Sequence, residues 1–364
     1  MLKRAHNWLG ALVAAWIMAA TFSGLLLLFE DDYYRWRYAP LPDTPGLIAP
    51  DASLIDSITG NSRGRLTALG MPTESLPAYH AYFADGTEAL FHPVAATRVA
   101  DWHTFDALPA FLFDLHVYLF LGETGHLVVG SLGLLAAVNI AIGMMLWWRR
   151  RTVFRMRHAA PRSTEKKHLL RGHAAQGAML GALFLAVILS GSAIVFPGPV
   201  QAVLYPVAGA SDTLRPAPGQ VSRDAGPVDW ERVLATTTAH FPNAQLRFVS
   251  PPEEPGAAVV MRLRNAGEWH PNGRSYAVLD AGTGELLQSI DATKTGLGPA
   301  IFNSLYPLHS GKTGWPGYRA LLVIVSVSLF YMAASGAYLY LSRPRRRQSA
   351  RSRRGSGTVP TSGA

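Results

Sequence analysis

Four histidines are the residues best suited to chemistry, because each stands at the start of an apolar, helix-forming stretch. They are His6, His173, His116 and His309. The first two each follow an arginine by two residues, and the last two each precede a glycine by 27 residues (Gly143 and Gly336). A neutral imidazole is a good iron ligand, and a helix bundle can hold a flat macrocycle between two facing imidazoles. The pattern predicts that these histidines bind haem or another metal.

The four histidines belong to an internal repeat. Residues 4–29 align without gaps on residues 171–196, and residues 115–148 follow the same plan as residues 308–341. Internal symmetry of this kind is typical of duplicated membrane proteins. An axis along the membrane normal would pair His6 with His173 on one face and His116 with His309 on the other.

Four segments are long and apolar enough to cross a bilayer: residues 8–29, 127–148, 174–196 and 319–341. We therefore expect an α+β membrane protein whose four-transmembrane-helix bundle is built from two parallel repeats. The predicted segments are transmembrane helices at 1–29, 126–148, 174–196 and 319–341, outer modules at 30–108 and 197–308, an interfacial helix and turn at 109–125, a cytoplasmic loop at 149–173, an outer loop at 309–318 and a disordered basic tail at 342–364.

The formal charge of +9 is unevenly distributed along the chain. Residues 149–173 hold nine Lys/Arg and one acid, and seven Arg follow Leu341, whereas residues 30–125 hold thirteen acids against five Lys/Arg. The positive-inside rule then predicts cytoplasmic termini, periplasmic modules and a bacterial inner-membrane location. The basic runs are explained by topology and contact with the lipid bilayer rather than by nucleic acid. The absence of cysteine excludes disulfides, thiolate clusters and thiol nucleophiles.

The two outer segments have the pattern of antiparallel sheet. Strands are predicted at 65–69, 78–83, 89–92 and 97–101, and again at 245–249, 257–263, 275–280 and 285–290, with a helix at 229–240. Proline-rich connectors are predicted at 39–50 and 197–218.

Other residues are weaker candidates for a role at the site. Arg4, Arg171 and Arg319 are candidate partners for haem propionates at the membrane interfaces. Nearby glycines could make room for a cofactor, although helix packing explains them as well: Gly10, Gly177, Gly181, Gly122, Gly130 and Gly133. His126 rivals His116 as a metal ligand because it directly precedes the apolar run. No specific role is expected for the remaining histidines: His80, His92, His103, His158, His168, His240 and His270.

These motifs resemble those of the PepSY-associated transmembrane proteins, also called iron-regulated membrane proteins, which include dihaem ferric-siderophore reductases. The residues that carry the resemblance are His6-x-Trp8-x-Gly10, Ser23-Gly24, Leu115-His116, Gly122-Glu123-x-Gly125, Ser190-Gly191 and Pro307-Leu308-His309-Ser310-Gly311. The resemblance implies PepSY-like periplasmic modules, the first of them degenerate, two b-type haems, and electron flow outward to a periplasmic ferric siderophore. Two departures are Ala175 at the position of Trp8, and Ile142-Gly143 in place of Ser-Gly.

Three functions from different classes follow. The first is an oxidoreductase that reduces a ferric siderophore or other ferric chelate and so releases iron. Its donor would be an unknown cytoplasmic reductase or quinol, since the loop at 149–173 has no Gly-x-Gly-x-x-Gly motif. The second is a non-redox PepSY membrane protein that binds a periplasmic peptidase or peptide. The third is a siderophore or metal transporter, which the lack of charged residues in the apolar helix cores disfavours.

Overall fold

A computed structural model describes the chain except for residues 39–40, 42–50, 61–63, 104, 150–154, 161–162, 212–213, 217–226, 255 and 343–364. The predicted disordered tail and most of the first proline-rich connector lie outside the described residues. The described helices are α1 (Leu2–Leu27), α2 (Glu30–Arg37), α3 (Ala52–Gly60), α4 (Leu108–Val117), α5 (Gly122–Trp148), α6 (Lys166–Val195), α7 (Pro197–Ala208), α8 (Trp230–His240), α9 (Leu297–Ser310) and α10 (Pro316–Leu341). The strands are β1 (Leu66–Gly70), β2 (Tyr79–Phe83), β3 (Glu88–Phe91), β4 (Arg98–Trp102), β5 (Gln245–Ser250), β6 (Val259–Arg264), β7 (Ser275–Leu279) and β8 (Leu286–Ile290).

Within the described part of the chain, four helices are long and apolar enough to cross a membrane: α1, α5, α6 and α10. They form a ring in which α1 and α6 each pack against both α5 and α10. Apolar side chains from all four helices fill its centre: Val13, Ile17, Ala136, Phe184, Ile188, Val325 and Leu329. Three of the helices begin earlier than predicted, at Gly122, Lys166 and Pro316, because their first turns are polar or glycine-rich and fall outside an apolar window.

The eight strands form one antiparallel sheet with the order β4-β3-β2-β1-β5-β6-β7-β8. Residues 66–102 and residues 245–290 each supply a four-stranded meander, and the two meanders join where Leu69 pairs with Val249 and Gly70 with Phe248. Successive side chains of a strand point to opposite faces of the sheet. In β6, Val259, Met261 and Leu263 are buried on one face. Helices α3 and α8 pack on that buried face. The first segment therefore contributes a helix and four strands, as the second does, although its sequence pattern is weaker.

Two predictions for the connecting segments are wrong. Residues 197–208 were expected in a proline-rich connector but form α7, in which Pro197 occupies the first helical position, where its missing N–H costs nothing. Residues 309 and 310 were expected in a loop but belong to α9. That helix ends at Gly311, whose φ of 75° is the left-handed cap conformation.

The turn before α5 also differs from the prediction. A helix at 109–121 with a turn at 122–125 was expected, whereas α4 ends at Val117 and the chain reverses over residues 118–121. Leu119 and Phe120 there have φ values of 50° and 58°. Gly125 lies in the first turn of α5, and an added Cβ would come within 1.5 Å of the Tyr118 carbonyl oxygen. Only glycine allows this close approach, which brings α4 back over the end of the bundle.

Candidate functional site

His6 and His173 face each other at one end of the bundle. His6 lies on α1, His173 lies on α6, and their ring centroids are 6.1 Å apart. The His6 Nδ1 lies 3.1 Å from the carbonyl oxygen of Asn139 on α5. Since a carbonyl only accepts hydrogen bonds, Nδ1 must carry the hydrogen, and Nε2 keeps a lone pair for a metal. The His173 Nδ1 lies 3.3 Å from Ser335 Oγ on α10.

His116 and His309 form the equivalent pair at the other end. His116 lies on α4, His309 lies on α9, and their ring centroids are 5.9 Å apart. The His116 Nδ1 donates to the Ala20 carbonyl oxygen at 3.0 Å, and the His309 Nδ1 donates to the Val187 carbonyl oxygen at 2.9 Å. Both bonds leave Nε2 as the unprotonated nitrogen.

Each of the four imidazoles lies against a glycine of a neighbouring helix. An added Cβ would come within 2.9 Å of His116 Cε1 at Gly24, 2.6 Å of His309 Cε1 at Gly191, 3.0 Å of His6 Cε1 at Gly143 and 3.3 Å of His173 Cε1 at Gly336. The carbonyl partners stand four residues before these glycines: Ala20, Val187, Asn139 and, for His173, Met332. All four rings therefore share one arrangement, in which a glycine packs against the ring and the carbonyl four residues earlier contacts the imidazole. A side chain larger than hydrogen would push the ring away at Gly24 and Gly191, and would require a smaller adjustment at Gly143 and Gly336.

The sequence did not assign this role to the right glycines. Gly24 and Gly191, and likewise Gly143 and Gly336, occupy matched positions of the repeat, and this matching could have identified them as the glycines that contact the histidines. The six glycines expected to make room instead pack against protein or contact nothing. An added Cβ at Gly181 would meet Met144, one at Gly133 would meet Ser192, and one at Gly122 has no atom within 4 Å. Gly10, Gly130 and Gly177 likewise face Asn139, Val195 and Met332.

The spacing of each pair can be compared with that of two imidazoles on one metal atom. Metal–imidazole bonds are about 2.0–2.1 Å long, so two nitrogens that share a metal lie roughly 4 Å apart, and the ring centroids, each roughly 1 Å beyond its nitrogen, roughly 6 Å apart. The observed 6.1 and 5.9 Å agree with this value. Among the described residues, no group of three or more His, Asp or Glu side chains could hold a metal ion. Two imidazoles at this spacing fit a haem, whose macrocycle would supply the remaining iron ligands.

Burial also favours the neutral form of the pair His116 and His309. Removal from water lowers the pKa of His116 to about 4, with a smaller contribution from His309, and burial likewise lowers the pKa of His309. Both imidazoles are therefore neutral at pH 7, as metal ligation requires.

The two pairs lie far apart along the bundle. Gly24, which packs on His116, is 18 residues after His6 on α1, and Gly191, which packs on His309, is 18 residues after His173 on α6. At about 1.5 Å per residue, each separation is roughly 27 Å, close to the hydrocarbon thickness of a bilayer. The bundle therefore carries one histidine pair near each end.

The predicted arginine partners lie in different environments. Arg4 and Arg171 are exposed, two residues before His6 and His173 respectively. Arg319 forms an ion pair with Asp32, and its guanidinium lies 4.2 Å from the centroid of the Phe29 ring. A propionate at Arg319 would have to compete with the Asp32 carboxylate.

The sequence reasoning missed an ion pair that involves Lys312, close in sequence to His309. Lys312 Nζ, three residues after His309, is 3.2 Å from Glu30 and 3.9 Å from Asp31. Partial removal from water opposes the charged form of Lys312, but the two carboxylates outweigh it and raise the pKa of Lys312. This contact ties α2 to the loop between α9 and α10.

His126, the rival ligand, is placed elsewhere. Its Nδ1 lies 3.9 Å from Glu123 Oε2, and its ring lies 5.4 Å from the ring of Tyr118. The ring that faces His309 is His116, so the geometry favours His116.

Residues 3–354 match a family model described as the PepSY-associated TM region. The chain belongs to this family. A search of curated protein sequences finds no match. Family membership and the four long apolar helices together identify a multi-pass membrane protein, as predicted.

Another histidine of this PepSY-associated TM protein is buried in the β-rich part. His270 is 3 % exposed and stacks on Tyr306, with ring centroids 4.8 Å apart. Burial, with Arg274, Arg262 and Arg264 nearby, lowers the pKa of His270 to about 2. It is therefore a neutral residue at the centre of a basic cluster.

Proposed function

We propose that this chain is an inner-membrane oxidoreductase that binds two b-type haems and reduces ferric chelates, ferric siderophores among them, on the periplasmic face. His6 and His173 would hold the inner haem, and His116 and His309 the outer one. The observation that supports this proposal most strongly is the shared geometry of the pairs. In each pair the ring centroids are about 6 Å apart, and each ring packs against a glycine.

Backbone carbonyls near the pairs would hold the histidine ligands in place. The carbonyls of Asn139, Ala20 and Val187 accept from Nδ1, which fixes the tautomer and would leave Nε2 free to bind the haem iron. Ser23 and Ser190 lie 3.1 and 3.5 Å from the outer Nδ1 atoms and provide a second partner. A haem held between two imidazoles would supply one-electron transfer.

The reaction requires one electron for each ferric ion. Fe(III) in the chelate would take that electron and become Fe(II), which siderophores hold far less well. The electron would come from a cytoplasmic reductase or from quinol and would cross the roughly 27 Å between the pairs. Arg4 and Arg171, which are exposed beside the inner pair, remain candidate propionate partners.

Reoxidation of the reduced protein tests the reaction directly. Purified protein reduced with dithionite, then freed of excess dithionite, should be reoxidised by a ferric siderophore and should generate Fe(II), trapped by a ferrous chelator. The matching gallium(III) complex, which cannot accept an electron under these conditions, is the control. Reduced protein that is stable toward every ferric chelate but is oxidised by another small acceptor would refute the substrate assignment.

A further inference from the structure

A cavity lies between the sheet and the helices at the outer-pair end of the bundle. Its volume is about 500 Å³, within the range of about 300–1,000 Å³ usual for ligand pockets. Gln201 and Tyr205 line it from α7, Asn303 from α9, and Tyr276 from β7, with Arg215 and Arg274 beside them. Gly298 on α9 allows α7 to pack closely, since an added Cβ would lie 3.0 Å from Tyr205 Cδ1.

The lining of this cavity is basic. Among the described residues that line it there is no Asp or Glu, whereas there are two guanidiniums and two phenols. Both Arg215 and Arg274 lie close enough to Tyr205 to oppose the rise that burial causes in its pKa. Arg262, which is half-buried, adds positive charge beside Arg274. Glu268, an acid close to Arg274, accepts from the backbone N–H groups of Asn265 and Arg274 and from Ser275 Oγ.

The cavity is near the outer histidine pair. Asn303 lies on the same helix as His309 and six residues before it, which is about 9 Å along the helix axis. An occupant would thus contact the helix that carries His309.

We infer that this cavity binds a carboxylate-bearing anion, and that its occupant is an anionic ferric chelate whose carboxylate groups pair with Arg274 and Arg215. The identification of the occupant rests on the proposed function. Guanidinium groups suit carboxylates because their parallel N–H groups form bidentate hydrogen bonds, and the tyrosines and amides supply further donors. The geometry therefore selects for charge: an oxygen-rich anion is favoured over a cationic or neutral chelate.

Calorimetric titration of the purified full chain with gallium(III) citrate tests this site, because that complex mimics the ferric one and needs neither haem nor electrons. Loss of a charge-assisted hydrogen bond predicts about 10- to 100-fold weaker binding for Arg274→Gln, with Arg274→Lys in between. Arg232→Gln is the matched control, since this exposed arginine lies on α8, on the other face of the sheet. A gallium trihydroxamate without carboxylates should bind the wild type and Arg274→Gln equally weakly.

Equal affinity of the wild type and Arg274→Gln for gallium citrate would overturn the site. Citrate alone binding as tightly as its gallium complex would overturn the chelate as occupant. In a haem-loaded preparation, Arg274→Gln should keep the wild-type visible spectrum and slow reoxidation by ferric citrate only. A protein without haem that still binds gallium citrate through Arg274 would contradict the proposed function while leaving the anion site intact.

Discussion

Replacement of Gly191 by alanine is the sharpest test of whether the glycines position the histidine rings by close packing. The added Cβ would lie 2.6 Å from His309 Cε1, 3.0 Å from Nδ1 and 3.2 Å from Nε2. Ordinary contact begins at 3.4 Å, so the imidazole must retreat by about 0.8 Å. The ring cannot simply rotate away, because its Nδ1 is bonded to Val187 O at 2.9 Å.

This displacement exceeds the tolerance of a ligand site, which is about 0.5 Å. We therefore expect Gly191→Ala to lose the outer haem or change its spectrum, and to leave the inner haem intact. Gly336→Ala should be milder, since its Cβ would lie 3.3 Å from His173 Cε1 and needs a shift of only about 0.1 Å.

Haem stoichiometry by the pyridine haemochrome assay and a reduced-minus-oxidised difference spectrum measure both effects. Gly198→Ala is the matched control, because this helical glycine lies on α7 near the same end of the bundle and has no atom within 4 Å of an added Cβ. Two haems and an unchanged spectrum in Gly191→Ala would refute the reasoning, as would equal losses in Gly191→Ala and Gly198→Ala.

Three further predictions concern stability and topology. The unfolded chain takes up a proton at His270 below about pH 6.5 while the folded chain, with a pKa of about 2, does not, so stability should fall as the pH drops. His270→Gln should therefore reduce the fall in the free energy of unfolding between pH 7 and pH 5 by about 2 kcal/mol. Thermal unfolding midpoints at the two pH values measure this effect, and an unchanged pH dependence would contradict it. Glu30→Gln breaks a partly exposed ion pair with Lys312 and should cost about 1 kcal/mol by the same assay, whereas a neutral effect would show that the contact does not stabilise the loop. Reporter fusions after Asp43 and after Ser211 should both be periplasmic, and a cytoplasmic signal from either would refute the orientation.

The sheet was largely predictable from the sequence because strand alternation is a local signal. All eight strands occur within about two residues of their predicted positions, as does α8. The joining of the two meanders into one sheet was not predicted, since the pairing of Leu69 with Val249 is a long-range contact that alternation does not encode. Helix α7 was missed because prolines were taken as a connector, although Pro197 begins the helix.

The histidine pairs were predictable because the repeat encodes them. Matched offsets in the two halves identified which histidines correspond, and the structure brings His6 to His173 and His116 to His309. The contacts between the glycines and the histidine rings were not predictable from spacing within one helix. His309 on α9 meets Gly191 on α6, 118 residues earlier in the chain, and only the packed bundle shows the contact.

The haem content of the purified protein tests the central claim most directly. Protein produced in haem-replete cells should carry two low-spin b-type haems per chain. His309→Ala and His173→Ala should each retain one, with only the haem kept by His309→Ala reducible from the cytoplasmic side. A haem stoichiometry near zero in the wild type, with the protein folded and quantified, would contradict the account. A loss of haem in His126→Ala but not in His309→Ala would instead show that the outer ligands are misassigned.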